Sequence, residues 1–110
     1  MRSKSLQTYR ILFERVPDGE RAVDPNSLGQ RSKLGGKPDW SQTDETPICS
    51  DCDKEMKFVG QLDSIEHDSK TNPHRINALS KEAKYMFGDV GMIYIFFCFE
   101  CSAAQAIFQC

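Results

Sequence analysis

Apolar and polar positions alternate most clearly from Met56 to Ile65, where Met56, Phe58, Gly60, Leu62 and Ser64 share one side of an extended chain. That period of two predicts a half-buried strand. Gly91-Met92-Ile93-Tyr94-Ile95-Phe96-Phe97-Cys98 is an almost unbroken apolar run of strand length, which fits a central strand covered on both faces. Ala103-Ala104-Gln105-Ala106-Ile107-Phe108 predicts a last strand that returns antiparallel to it. Near the start, the stretch from Thr8 to Val16 is rich in β-formers and stops at Pro17-Asp18-Gly19, so it predicts a first strand closed by a turn. Helical spacing shows only in residues 78–87, where Leu79, Ala83 and Met86 share a face and Gly88 stands at the position of a C-cap.

The intervals between these segments are turn-rich. Residues 17–39 hold three of the five prolines and four of the seven glycines, which predicts a long ordered loop or two short turns. Gly35-Gly36 permits backbone angles closed to other residues, Pro38 fixes its own φ, and Trp40 is expected to pack down as a core anchor. The segment 66–75 is polar and loop-like, with Asn72-Pro73 as a breaker. Taken together, the pattern predicts a single domain over residues 1–110 of α+β, mainly β class: an antiparallel sheet with one short helix.

Composition narrows the function classes. Of the 110 residues, 39% are hydrophobic and 27% charged, and no apolar run approaches the ~18 residues needed to cross a bilayer, so no membrane role is expected. The formal charge of −2 is unevenly spread, from +3 over residues 1–40 to −5 over residues 41–110. Nucleic-acid modules show the opposite balance, because phosphate contacts need clustered lysine and arginine, so nucleic acid is not an expected partner.

Cysteine carries the strongest chemical signal. Cys49-Ser50-Asp51-Cys52 and Cys98-Phe99-Glu100-Cys101 are two C-x-x-C knuckles separated by 45 residues. Four thiolates in that arrangement can close a tetrahedral metal site, and Zn2+ takes four sulfur ligands readily. Iron in the manner of rubredoxin, or an iron–sulfur cluster, suits four thiolates as well. Buried thiols or disulfides are the alternative reading. The N-terminus has no apolar h-region and no cleavage site, so a reducing cytoplasm is expected, where paired cysteines more often bind metal or act in catalysis than form a covalent framework. The first knuckle precedes the Met56 strand and the second follows the Gly91 strand. Antiparallel pairing of those strands would therefore bring all four sulfurs to one end of the sheet. Cys110 is left over.

No enzymatic constellation stands out. His67 and His74 lie in a polar loop, and a general base must be positioned by neighbours within hydrogen-bond reach. Gly35-Gly36-Lys37 lacks the strand before and the helix after it that a phosphate-binding loop requires. Asp51, Asp53, Glu55 and Glu100 would raise the pKa of a redox thiol rather than lower it. A site filled by four protein sulfurs also leaves no position for water or substrate, so the chain is not expected to be an enzyme.

Ser32-Lys33-Leu34-Gly35-Gly36-Lys37-Pro38-Asp39-Trp40, Cys49-x-x-Cys52, Met56-Lys57-Phe58-Val59-Gly60-Gln61-Leu62 and Gly88-Asp89-x-Gly91-x-x-Tyr94-x-Phe96-x-Cys98-x-x-Cys101 together resemble the bacterial YwqG-like family. The same order of features is similar to the eukaryotic programmed-cell-death-2 family. The resemblance spans residues 31–101. It implies a β-rich fold with a structural metal and with binding rather than catalytic duties. Eukaryotic relatives are associated with chaperoning a ribosomal protein, and small bacterial ones occur among immunity proteins that neutralise toxins from neighbouring cells. A second repeat of the pattern, present in larger relatives, is missing here.

Binding must then come from the surface. Asp44, Glu45, Asp51, Asp53, Glu55, Asp63, Glu66 and Asp68 crowd the sequence around the first knuckle. An ordinary solvated face is one reading. The sharper expectation is an acidic surface that docks on a protein partner, a cognate toxin domain, as an antitoxin-like immunity protein would; a small zinc-binding chaperone or adaptor of the translation machinery is the alternative.

Overall fold

The computed structural model describes residues 5–6, 8, 10–21, 31–64, 87–88 and 91–110. Within them lie β1 (Lys33–Leu34), β2 (Lys57–Asp63), β3 (Met92–Cys98) and β4 (Ala103–Gln109). They form one sheet in the order β1-β2-β3-β4, with every neighbouring pair antiparallel. The expected antiparallel sheet is thus present. No helix occurs among the described residues, and the helix expected at 78–87 lies outside them except for Phe87.

β3 is central, as its apolar run predicts, but its two faces differ. Met92, Tyr94, Phe96 and Cys98 are buried, whereas Ile93, Ile95 and Phe97 are half-buried. Trp40 supports the buried face, its ring 4.5 Å from Tyr94 and stacked 5.7 Å from Phe96, as a core anchor should be.

β2 departs from the simple alternation. Phe58 pairs with Phe96 but Gly60 pairs with Ile95, so Val59 is an extra residue. A bulge of one residue inverts side-chain parity from that point on. Met56 and Phe58 face the core as expected. Beyond the bulge Gln61 and Asp63 turn inward opposite Tyr94 and Met92, and Leu62 turns outward, 40% exposed. Gly60 also has a packing reason to be glycine: a Cβ there would stand 2.7 Å from the Lys33 carbonyl oxygen of β1.

The polar groups that this inversion buries on β2, together with Tyr94 of β3 and Gln109 of β4, hold the loop 31–43 against the sheet. Asp63 is fully buried and accepts from Arg31 Nε at 2.9 Å, while its backbone N–H donates to Ser32 Oγ. Gln61 accepts from the Asp39 N–H and donates to the Arg31 carbonyl. Tyr94 donates its hydroxyl proton to the Asp39 carbonyl and accepts from the Ser41 N–H. From β4, Gln109 accepts from the Ser41 and Gln42 N–H groups and donates to the Thr43 carbonyl. Buried polar atoms that find partners specify one arrangement, and here they fix where Trp40 enters the core. Gly35 and Gly36, both at φ +74, make the turn that carries the chain from β1 to this loop.

The first strand expected at 8–16 does not form over the described residues 8 and 10–16. Residues 10–16 are irregular, and Ile11, Leu12 and Phe13 are 72%, 84% and 78% exposed. Strand propensity is realised only against a pairing neighbour, and these residues join no ladder. The turn after them does form, with Glu20 N–H donating to the Pro17 carbonyl and Gly19 at φ +87.

Candidate metal centre

Each knuckle is the tip of a hairpin. The first is carried by residues 47–56: Ile48 bridges Glu55, the Met56 N–H donates to the Pro47 carbonyl, the Cys49 N–H to the Lys54 carbonyl, and the Asp53 N–H to the Cys49 carbonyl. The second joins β3 to β4, with Cys98 paired to Ala103. In both, the residue after the second cysteine adopts a left-handed conformation, Asp53 at φ 61 and Ser102 at φ 53. Those are the only two non-glycine residues with positive φ among the described residues. Holding L-residues there costs on the order of 1 kcal/mol each, less for aspartate, so the repetition marks a required geometry rather than chance. It turns the chain so that two sulfurs of one knuckle point the same way.

Because β2 and β3 run antiparallel, the two tips meet at one end of the sheet, and the Sγ atoms of Cys49, Cys52, Cys98 and Cys101 all lie within 4.8 Å of one another. The Cys52 and Cys98 sulfurs are 3.7 Å apart. Four sulfurs placed ~2.3 Å from a central zinc ion at tetrahedral angles stand about 3.8 Å apart, so this cluster has the size of a tetrahedral thiolate site. No disulfide links them. Cys49 and Cys98 are buried in the core beside Met56 and Phe96, and Cys52 and Cys101 are half-buried.

The thiols are electrostatically unequal. Backbone N–H groups of Cys101 and Glu100 point at Cys98 and hold its pKa down at about 7, against the opposing effect of desolvation. Cys101 is pushed up to about 12, first by its hydrogen bond with Cys52 and then by desolvation and the remaining thiols. At Cys52 the Lys54 N–H lowers the pKa, but desolvation and the Cys98 and Cys49 sulfurs outweigh it, and the net shift is upward. A cation is what lets four such sulfurs ionise together, since coordinated thiols lose their protons. Outside the cluster, Lys54 Nζ meets Glu100 at 2.9 and 3.1 Å and links the two tips. That pair is exposed on both sides, so its contribution is at most about 1 kcal/mol.

The acidic residues fall into three groups. Asp44, Glu45, Asp51, Asp53 and Glu55 are exposed; Asp44 accepts from the side chain and backbone of Thr46, which lowers its pKa. Asp63 presents nothing to a partner: its side chain is buried and paired with Arg31, because the bulge at Val59 turned it inward. Glu66 and Asp68 lie outside the described residues. Sequence reasoning missed the Gln61, Tyr94 and Gln109 clamp. Two uncharged glutamines on strands otherwise rich in apolar residues were the available sign.

Comparison of the chain with protein-family models, with curated proteins and with solved structures finds no match in any of the three. Among the described residues no helix is long and apolar enough to cross a membrane.

Proposed function

We propose that this chain is a zinc-stapled binding protein that docks on a cognate antibacterial toxin in the cytoplasm and neutralises it. The observation that carries the reading is the convergence of four sulfurs, two from each hairpin tip, within 4.8 Å. Such a donor set would fill a tetrahedral ion by itself, which supports a scaffold duty for the metal. What remains for function is surface. The exposed carboxylates of Asp44, Glu45, Asp51, Asp53 and Glu55 lie on or beside the first hairpin, and a zinc ion held by four thiolates adds a further net −2 there. A toxin that handles nucleotides or nucleic acid has a basic cleft, and an acidic plug competes with substrate for it. Opposite fields also speed the encounter.

The test has two arms. The tagged chain is purified from its native cell, the retained protein identified, and that protein expressed with and without this chain; growth arrest relieved only by co-expression supports the reading. With the purified pair, association is measured over rising salt and with Asp51→Asn, Asp53→Asn and Glu55→Gln combined. The expected result is a rate that falls about tenfold or more in both cases. A partner without toxicity, or a rate indifferent to salt and to the three substitutions, refutes it.

A further inference from the structure

β4 closes the sheet on one side, and among the described residues no strand pairs with its far edge. Natural proteins blunt such an edge with lysine, proline, a bulge or short length. The opposite edge is blunted by length, since β1 has two residues. β4 has no such protection. Ala103-Ala104-Gln105-Ala106-Ile107-Phe108-Gln109 is seven residues long, without charge, proline or glycine. It pairs with β3 in unbroken register from Cys98↔Ala103 to Met92↔Gln109. Ala104, Gln105 and Ala106 are exposed, and Phe108 is 47% exposed.

We propose that β4 pairs antiparallel with β4 of a second copy of this chain, about a two-fold axis through Ala106. In that register Ala106 faces Ala106 of the other copy, Ala104 faces Phe108, Gln105 faces Ile107, and Ala103 faces Gln109. Three features favour a copy of itself as the occupant. Phe108, the bulkiest residue on the strand, has its ring packed over Gly88 and Gly91 of its own chain and stands opposite the small Ala104 rather than a second ring. No charge lies along the edge, so like charges do not confront each other across the axis. On the outward side of the sheet, Ile93, Ile95 and Phe97 of β3 neighbour Phe108, Ala106 and Ala104 of β4, and pairing makes this apolar surface continuous across both copies. The two-fold uses each edge once, so the assembly closes as a dimer and does not grow into a fibre. Backbone hydrogen bonds supply the attraction and leave the metal centre untouched.

The inference stands independently of the toxin reading and is tested on the full metal-loaded chain. Sedimentation should give twice the 12.5 kDa chain mass as concentration rises. Ala106→Lys, which sets two ammonium groups together on the axis, should return the mass to that of a single chain while leaving the far-UV spectrum and zinc content unchanged. In a Cys110→Ser background, Ala106→Cys should form a disulfide-linked dimer with oxidised glutathione, because a residue on the axis lies within bridging distance of its own copy. Ala104→Cys, facing Phe108, should not. A chain that stays monomeric up to about millimolar concentration, as it would if the edge received another protein's strand, overturns the proposal. So does a dimer indifferent to Ala106→Lys, or equal cross-linking at both positions.

Discussion

Serine in place of Cys98 should abolish the folded state, and the magnitude follows from how little else the core contains. Six hydrophobic side chains form its buried centre among the described residues: Cys49, Met56, Met92, Tyr94, Phe96 and Cys98. Two of the six are proposed zinc ligands. Structural zinc contributes on the order of 10–16 kcal/mol in small thiolate sites at neutral pH, while a domain has only about 5–15 kcal/mol of net stability. Losing one ligand, and with it most of the binding energy, therefore exceeds what the sheet can retain. Trp40 reports the outcome directly, being the one tryptophan of the chain and packed on Tyr94 and Phe96. The assay follows Trp40 emission and far-UV circular dichroism through thermal melts, with elemental analysis of the same samples. Wild type should melt cooperatively with one zinc per chain, lose the transition under a strong chelator, and regain it on addition of zinc. Cys98→Ser should show neither the transition nor recovery, whereas Cys110→Ser, exposed at the chain end, should stay within about 0.5 kcal/mol of wild type. A Cys98→Ser protein, or a chelated wild type, that still melts cooperatively without metal would show that the sulfurs are ordinary core side chains.

Arg31→Ala should destabilise by about 3–5 kcal/mol in a urea melt, because it removes the cation paired with the buried Asp63 carboxylate, and Asp63→Asn added to it should recover part of the loss. Gly60→Ala should cost about 1–3 kcal/mol, since its methyl group meets the Lys33 carbonyl and Leu34 and pushes β1 away; a neutral result would mean β1 moves freely. Asp53→Gly and Ser102→Gly should each stabilise by up to about 1 kcal/mol by relieving positive φ, and destabilisation by either would place the cost in lost side-chain contacts instead. Metal affinity should weaken as pH falls and do so more steeply below about 7: the Cys98 pKa is depressed, so its thiolate is available above that pH and is reprotonated below it. Cobalt titrations at a series of pH values measure this, and an affinity that rises in acid contradicts it.

The sequence made legible what depends on pattern alone. β3 announced itself by an unbroken apolar run, and the two knuckles by spacing; their meeting followed from one antiparallel pairing, which the structure has. The bulge at Val59 did not show, because the alternation from Met56 to Ser64 reads equally well with or without an extra residue on one strand. That single residue reassigned Asp63 from the surface to an ion pair with Arg31, 32 positions away, a partner no local window contains. Thr8 to Val16 misled for a related reason: β-forming side chains describe a strand that would pair well, and pairing is decided elsewhere in the chain. At the knuckles the usual marker of a left-handed residue, glycine, is replaced by Asp53 and Ser102, so the shared backbone turn was visible only in three dimensions.

Half of the four-cysteine cluster belongs to the hairpin that leads into β2 and half to the hairpin that leaves β3. Severing the polypeptide between those strands would yield two fragments, each with one pair of sulfurs and neither able to complete a tetrahedron. Their reunion would then be gated by the free concentration of the ion. The same scaffold, cut once, would behave as a split reporter whose signal tracks the supply of whichever metal the four sulfurs accept.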